Sequence, residues 1–219
     1  MDDESSNHII NPLGDLLRGT SAYKKANRKI SNRMKGRIEN PYSAGTLKNE
    51  MFDELLEDEG YRFGAYGDSK GFPTTGVGHL GTDKTAGNWV WPKEAADLLS
   101  RDLDEKYRAA REWLTPYAFN NLSWGAKKAV INMNFRGDLR GSEETSKLIR
   151  QGRMSEAAKE YLDHDEYRAA VAAGTSGIVD RMDRNARRLG EDSLYSKSMN
   201  FRGDMSNNRP DAFKYWKAE

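Results

Sequence analysis

The chain has 219 residues, no cysteine and a formal charge of +1, and 32% of its residues are charged. This length suits one domain with arms or two small lobes, and the absence of cysteine excludes disulfides, thiolate metal sites and thiol nucleophiles. No apolar run is long enough for a membrane helix and no stretch has the apolar centre of a signal peptide, so we expect no membrane span.

Residues 1–45 form a basic segment that differs from the rest of the chain. Eight basic residues and no acidic one lie between Leu17 and Ile38. The stretch could be helical, but its apolar residues are too few to define a core-facing stripe. We expect an arm that is either flexible or docked on a partner. The alternative is that the segment binds an anionic surface of lipid or nucleic acid. We do not expect nucleic acid to be the partner.

A helical pattern begins after this arm. Thr46 suits the N-cap position, apolar residues recur at i, i+4 and i+8 from Leu47 to Leu55, and Gly60 suits the C-terminal stop. Glu59 therefore lies in the last turn of the helix, at the edge of its apolar stripe.

Aromatic and turn residues follow the helix. The pattern predicts two short strands, Tyr61–Tyr66 and Phe72–Val77, joined by a turn over Asp68–Gly71. Together with the preceding helix, this segment forms the small hairpin lobe that we expect.

Helical periodicity returns after Pro92, which suits the first position of a long amphipathic helix. The order of elements predicts an α+β fold with two lobes, in which the long helix joins the hairpin lobe to a helical lobe.

Residues 191–219 are expected to be a C-terminal extension, and the hexapeptide MNFRGD occurs at 133–138 and again at 199–204. Further helices are expected at Ser123–Phe135, Ser142–Gln151 and Ser155–Tyr161 and around Ile178–Leu189.

Glu59 and Asp68 are the residues whose surroundings suggest chemistry. The negative end of the helix dipole and apolar neighbours favour the protonated form of a carboxyl at position 59, whereas a carboxyl in a polar turn stays ionised. Glycoside hydrolysis needs two carboxyl groups with these different states. Taken alone, the pair is better explained as an ordinary helix end and an ordinary turn. The histidines have no metal-binding spacing, so we expect no metal and no other cofactor.

The spacing of residues 59–80 resembles the signature of a known protein family. A Glu-Gly pair, an Asp nine positions after the Glu and a G-x-x-T-x-G-x-G-H-L run closely resemble the signature of the phage-type lysozymes, the muramidases of glycoside hydrolase family 24. The resemblance implies that Glu59 is the general acid and that Asp68 and Thr74 position the hydrolytic water. Thr75 falls where this family usually has an apolar residue, so it receives no catalytic role.

The resemblance extends over residues 46–190, the expected catalytic domain. It implies that His79 pairs with Asp102 as a structural ion pair and that Arg181 ion-pairs with the catalytic glutamate. The segment WGAKKAVINMNFRG resembles the helix that lines the saccharide cleft, with an arginine at the place of the usual amide. The residues that the resemblance places at the substrate are Leu80, Asn132, Phe135 and Arg136.

The activity implied is hydrolysis of peptidoglycan between N-acetylmuramic acid and N-acetylglucosamine, with inversion at the anomeric carbon. A lytic transglycosylase, a free endolysin and a mainly structural virion protein are the alternatives. We expect a lysozyme associated with the phage virion, with docking on tail or capsid proteins through residues 1–45 and 191–219. Its expected location is the virion or the host cytoplasm, and it would act on the periplasmic cell wall.

Overall fold

The structure is a computed structural model that describes residues 21–67, 73–80 and 89–203. The described chain is mostly helical and contains one small antiparallel sheet of three strands. The helices are α1 (Ser21–Lys35), α2 (Leu47–Glu59), α3 (Pro92–Trp113), α4 (Pro116–Asn120), α5 (Trp124–Arg136), α6 (Asp138–Gly141), α7 (Glu143–Arg150), α8 (Met154–Leu162), α9 (Asp165–Ala173) and α10 (Ser176–Gly203); the strands are β1 (Arg62–Gly67), β2 (Pro73–Gly76) and β3 (His79–Leu80).

The chain divides into two units, residues 1–107 and 108–219, with the boundary inside α3. Unit 1 contains the sheet, and unit 2 is helical throughout its described part. This composition agrees with the α+β class expected from the sequence, while the arrangement of two lobes stays a prediction, as do the domain boundaries. Within the described residues, no helix is both long and apolar enough to cross a bilayer.

Helix α2 begins and ends where its sequence predicts. The Thr46 hydroxyl accepts a hydrogen bond from the backbone N–H of Asn49 at 3.1 Å, which satisfies a donor of the first turn. Gly60 follows the helix with a φ of 66°, a conformation that costs glycine little. The apolar stripe, including Met51 and Leu55, is fully buried, so burial of this face fixes the orientation of α2 and of Glu59 at its end.

The sheet has the order β1–β2–β3, with both pairs antiparallel. Strands β1 and β2 coincide closely with the two predicted strands, and the turn between them lies outside the described residues. In the β2–β3 pair, Thr74 lies opposite Leu80 and Thr75 lies opposite His79. The two residues of β3 were not predicted as a strand, because a strand this short leaves no periodic pattern.

Helix α1 packs against β1, the edge strand of the sheet. The contact is polar: the backbone N–H of Phe63 donates to the Ser31 hydroxyl at 3.0 Å, and that of Gly64 donates to the Asn27 side-chain oxygen at 3.2 Å. Both side chains are buried. These bonds and the hydrogen bond from the backbone N–H of Val90 to the Phe63 oxygen, at 2.8 Å, together occupy part of the outer edge of β1.

Unit 2 is built around α5 and α10, which pack on each other, and α10 also packs on α8. Ser123 caps α5 by accepting from the backbone N–H of Ala126 at 3.2 Å, and Gly137 ends it with a φ of 91°. The four predicted helices of this region correspond to α5, α7, α8 and α10. The short helices α4, α6 and α9 were not predicted.

Candidate active site

Glu59 is held at the end of α2 against the turn that joins β2 to β3. A Cβ atom added at Gly78 in this turn would lie 3.1 Å from Glu59 Oε2 and 3.3 Å from Glu59 Cδ. Gly78 has a φ of 69°, so the backbone conformation also favours glycine here. The second glycine of the G-x-G motif, Gly78, therefore has a local explanation, which is that the turn approaches the carboxyl group without a side chain.

Thr74 and Thr75 lie next to each other on β2, and both are buried. Successive strand residues point to opposite faces, so only one of the two hydroxyls can serve a given site. The Thr75 hydroxyl has no hydrogen-bond partner among the described residues. Within the described part of the chain, the buried Thr75 hydroxyl thus makes no hydrogen bond that would be lost with the apolar residue usual at this position in the family that the sequence resembles.

Two other residues, Asp68 and Leu80, were also expected at the site. Asp68, the expected partner carboxylate, lies outside the described residues. Leu80 lies on β3 opposite Thr74, with 64% of its surface exposed. An exposed leucine beside a buried threonine is available for contact with a ligand, and its role in substrate binding stays a prediction.

His79 and Asp102 contact each other, as expected from the resemblance. His79 Nδ1 lies 2.8 Å and 3.0 Å from the two carboxylate oxygens of Asp102, and both side chains are about one-fifth exposed. Burial raises the pKa of Asp102 above its usual value, and the hydrogen bond with His79 opposes that shift without cancelling it. The pair joins β3 to α3, and its purely structural role stays a prediction.

In unit 2, Asn132 and Arg181 form part of one buried polar cluster. The side-chain oxygen of Asn132 accepts from Arg181 Nε at 2.8 Å and from Asn185 Nδ2 at 3.1 Å. Asn132 is fully buried, and its hydrogen bond with Arg181 therefore holds the Arg181 side chain in one orientation. The expected pairing of Arg181 with Glu59 joins residues of the two units and stays a prediction, as does the contact of Asn132 with substrate.

Phe135 and Arg136 lie at the end of α5. Phe135 is half-buried. Arg136 donates from Nε to Asp138 at 2.8 Å and from Nη2 to Glu166 at 3.0 Å, and only 12% of its side chain is exposed. Burial alone would lower the pKa of Arg136, but the two carboxylates raise it above its usual value. A saccharide would therefore have to compete with two carboxylates for this guanidinium.

The sequence analysis assigned no role to four members of these clusters, Asp138, Tyr161, Glu166 and Asn185. Tyr161 donates its hydroxyl to Asp138 at 2.7 Å, which adds a third group to the Arg136 network. The spacing of Arg181 and Asn185, four positions apart on a helix, indicates that both lie on one face, but it does not identify Asn132 as their partner. The Arg-Gly-Asp part of MNFRGD corresponds to the Arg136–Asp138 ion pair, whereas the side chains of the second copy lie outside the described residues.

Unit 1 thus contains a carboxyl group fixed at a helix end and a buried threonine hydroxyl on the adjoining hairpin. These groups can donate a proton and orient a water molecule. Among the described residues, no group of three or more histidine, aspartate or glutamate side chains is placed to hold a metal ion.

Comparison with known proteins identifies a family. The model of the family described as phage lysozyme matches residues 56–185, which is more than half of the chain. No curated protein matches the chain. The matched region begins in α2, includes Glu59 and the whole described sheet, and ends in α10 at Asn185. The chain therefore belongs to the phage lysozyme family, and this membership indicates a lysozyme-type glycosidase with peptidoglycan as its substrate.

Proposed function

We propose that this protein is a muramidase that hydrolyses the β-1,4 bond between N-acetylmuramic acid and N-acetylglucosamine. Glu59 donates its proton to the oxygen of the leaving sugar as the glycosidic bond breaks. A water molecule attacks the anomeric carbon from the opposite face, and Asp68 accepts its proton while the Thr74 hydroxyl orients it. The attack from the opposite face inverts the configuration of the anomeric carbon.

The observation that supports this proposal most strongly is the approach of the Gly78 turn to the Glu59 carboxyl, within the region that matches the phage lysozyme family. The turn and the helix end remove water from part of this carboxyl group. The turn and the helix end also fix the position of this carboxyl group, and a fixed position is the geometric condition for proton transfer to a leaving group.

A lytic transglycosylase is the nearest alternative, since it uses an acid and an internal sugar hydroxyl instead of water. Product analysis separates the two activities. Digestion of purified peptidoglycan in water labelled with heavy oxygen is expected to place the label on the reducing muramic acid ends. Anhydro-muramic ends without label would refute hydrolysis, and an initial β-anomer would refute inversion.

We further propose that the enzyme is carried by the phage particle and opens the host wall locally during infection. A helix outside the matched region packs on the sheet and presents an exposed, basic outer face, which suits docking on a partner. Residues 1–45 and 191–219 would be the docking elements on virion proteins. Detection of the chain in purified particles, in a fixed ratio to a capsid protein, supports this location; recovery only from infected-cell lysate supports a free endolysin.

A further inference from the structure

A pocket of about 180 Å³ lies between α1 and the residues that follow Glu59. One wall is formed by residues 59–62, which connect the expected general acid to β1. The other wall is formed by Arg28, Ser31, Asn32 and Lys35 of α1. Helix α1 lies outside the region that matches the family model, so one wall of this pocket comes from residues that the family model does not cover.

The wall contributed by α1 is one face of the helix. Its four residues are spaced at i, i+3, i+4 and i+7, which places them in a single stripe. The anchors to the sheet lie beside this stripe, because Asn27 precedes Arg28 and Ser31 is itself part of the lining. Hydrogen bonds to β1 therefore hold the basic face of α1 in a fixed position over residues 59–62.

The pocket is predominantly cationic. Arg28, Lys35 and Arg62 line it, with Glu59 as its acidic residue. Lys35 is already engaged, since its Nζ lies 2.8 Å from a Glu57 carboxylate oxygen. Arg28 is exposed and makes no ion pair with any residue that the structure describes. A guanidinium in this setting suits an anionic ligand with planar oxygens, such as a carboxylate.

We propose that this pocket binds a carboxylate of the peptidoglycan strand and so holds the substrate beside the catalytic residues. The inference rests on the proposed function, which supplies an anionic polymer as the substrate. It also gives a role to the acid-free basic segment between Leu17 and Ile38. Arg28 is the residue expected to contribute most, and Arg62 adds a second guanidinium on the opposite wall.

The test compares Arg28→Glu with Lys29→Glu in the full-length chain. Both substitutions make the same change in net charge on the same exposed helix, but Lys29 is not part of the pocket lining. With intact peptidoglycan as substrate, Arg28→Glu is expected to raise the apparent KM roughly three- to ten-fold relative to Lys29→Glu, with kcat little changed. Equal thermal unfolding midpoints of the two variants would show that both are folded.

Equal KM values for the two variants would overturn the inference while leaving the muramidase activity intact. Absence of cleavage by the wild-type chain would instead refute the proposed function. In intact peptidoglycan the lactyl carboxyl group is amide-bonded to the stem peptide, so the free carboxylates are those of the stem peptides. Conversion of these carboxylates to amides with a carbodiimide and excess ammonium is expected to abolish the difference between Arg28→Glu and Lys29→Glu, and persistence of the difference would overturn the inference. If Arg28→Glu changes only the retention of double-stranded DNA, the pocket binds nucleic-acid phosphates and the inference is wrong.

Discussion

Gly78 determines how closely the β2–β3 turn approaches Glu59. Alanine at this position adds a Cβ atom 3.1 Å from Glu59 Oε2, in a backbone conformation with a φ of 69°. We expect Gly78→Ala to lower kcat roughly ten-fold or more, because a displaced acid is a poor proton donor. The same substitution should also lower the free energy of unfolding by about 1–2 kcal/mol, because alanine is strained in the left-handed conformation.

Gly45→Ala is the matched control for this substitution. Gly45 has a φ of 79°, but a Cβ atom there meets no atom within 4 Å. Both substitutions therefore place alanine in a similarly strained backbone conformation, but only Gly78→Ala displaces the Glu59 carboxyl group. If the two variants lose kcat equally after correction for the folded fraction, the contact between Gly78 and Glu59 does not matter for activity.

Thr74 and Thr75 provide a second comparison between neighbours. Valine has nearly the shape of threonine, so Thr75→Val removes a buried hydroxyl without a hydrogen-bond partner among the described residues. We expect this variant to be more stable by about 1 kcal/mol, with full activity. Thr74→Val should instead lose most of its activity. Chemical denaturation and turnover on peptidoglycan test both statements, and loss of activity in the Thr75 variant would contradict the assignment of roles.

At the scale of elements, α1 is attached to the sheet by side chains that replace a neighbouring strand. Ser31→Ala leaves the backbone N–H of Phe63, a buried residue, without its acceptor. We expect a loss of about 1–3 kcal/mol in the free energy of unfolding. Lys25→Ala, at an exposed position of the same helix, should change it by less than about 0.5 kcal/mol. Equal effects would show that the contact between α1 and β1 is weak in solution.

The elements differ in how far their sequences predicted them. Helix α2 carries a cap, an apolar stripe and a glycine stop, and all three signals agree with the structure. Helix α1 lacks an apolar stripe because it packs through Asn27 and Ser31, so hydrophobic periodicity could not predict its contact with β1. Strand β3 is too short to produce a pattern, and only its pairing with β2 defines it.

The candidate site shows the same division. The contact between His79 and Asp102, which the family resemblance implied, is present. The ion pair of Arg136 with Glu166 was not predicted, because Glu166 lies thirty positions away along the chain. A local pattern contains no information on which of several charged residues on distant helices becomes the partner.

For the whole molecule, burial raises the pKa of two tyrosines, Tyr61 and Tyr161, and both contribute to alkaline stability. The Tyr61 hydroxyl donates to the backbone oxygen of Val90, and burial, followed by the charge of Glu94, raises the pKa of Tyr61 from 10.0 to about 12. Between these pH values the unfolded chain releases the proton while the folded chain keeps it. The stabilisation is therefore fully present below pH 10 and decreases as the pH rises toward about 12.

Tyr61→Phe should make the free energy of unfolding less dependent on pH in this window, although the lost hydrogen bond lowers stability at neutral pH. Tyr117→Phe is the control, because Tyr117 is 81% exposed and its phenol is solvated. Denaturation curves measured across the window give the slope for each variant. An unchanged slope in Tyr61→Phe would mean that another group controls the alkaline transition.

Unit 1 extends beyond the part of the chain that the family model matches. Residues 21–55 precede the match, yet α1 covers the edge of the sheet and most of α2 lies in this range. The loop between them is also fixed: the Tyr42 hydroxyl donates to Asp104 on α3 at 2.9 Å. Unit 1 therefore includes its N-terminal helix as a packed element, and truncation at the start of the matched region would remove part of its core.

The measurement that tests the central claim most directly is the product pattern of Glu59→Gln on purified peptidoglycan. Glutamine keeps the shape of the side chain but cannot donate an acidic proton to the leaving oxygen. With wild-type thermal stability, the variant is expected to release muropeptides at least about a hundred times more slowly than the wild-type chain. Cleavage at a comparable rate, with the same reducing muramic acid ends, would show that Glu59 is not the general acid.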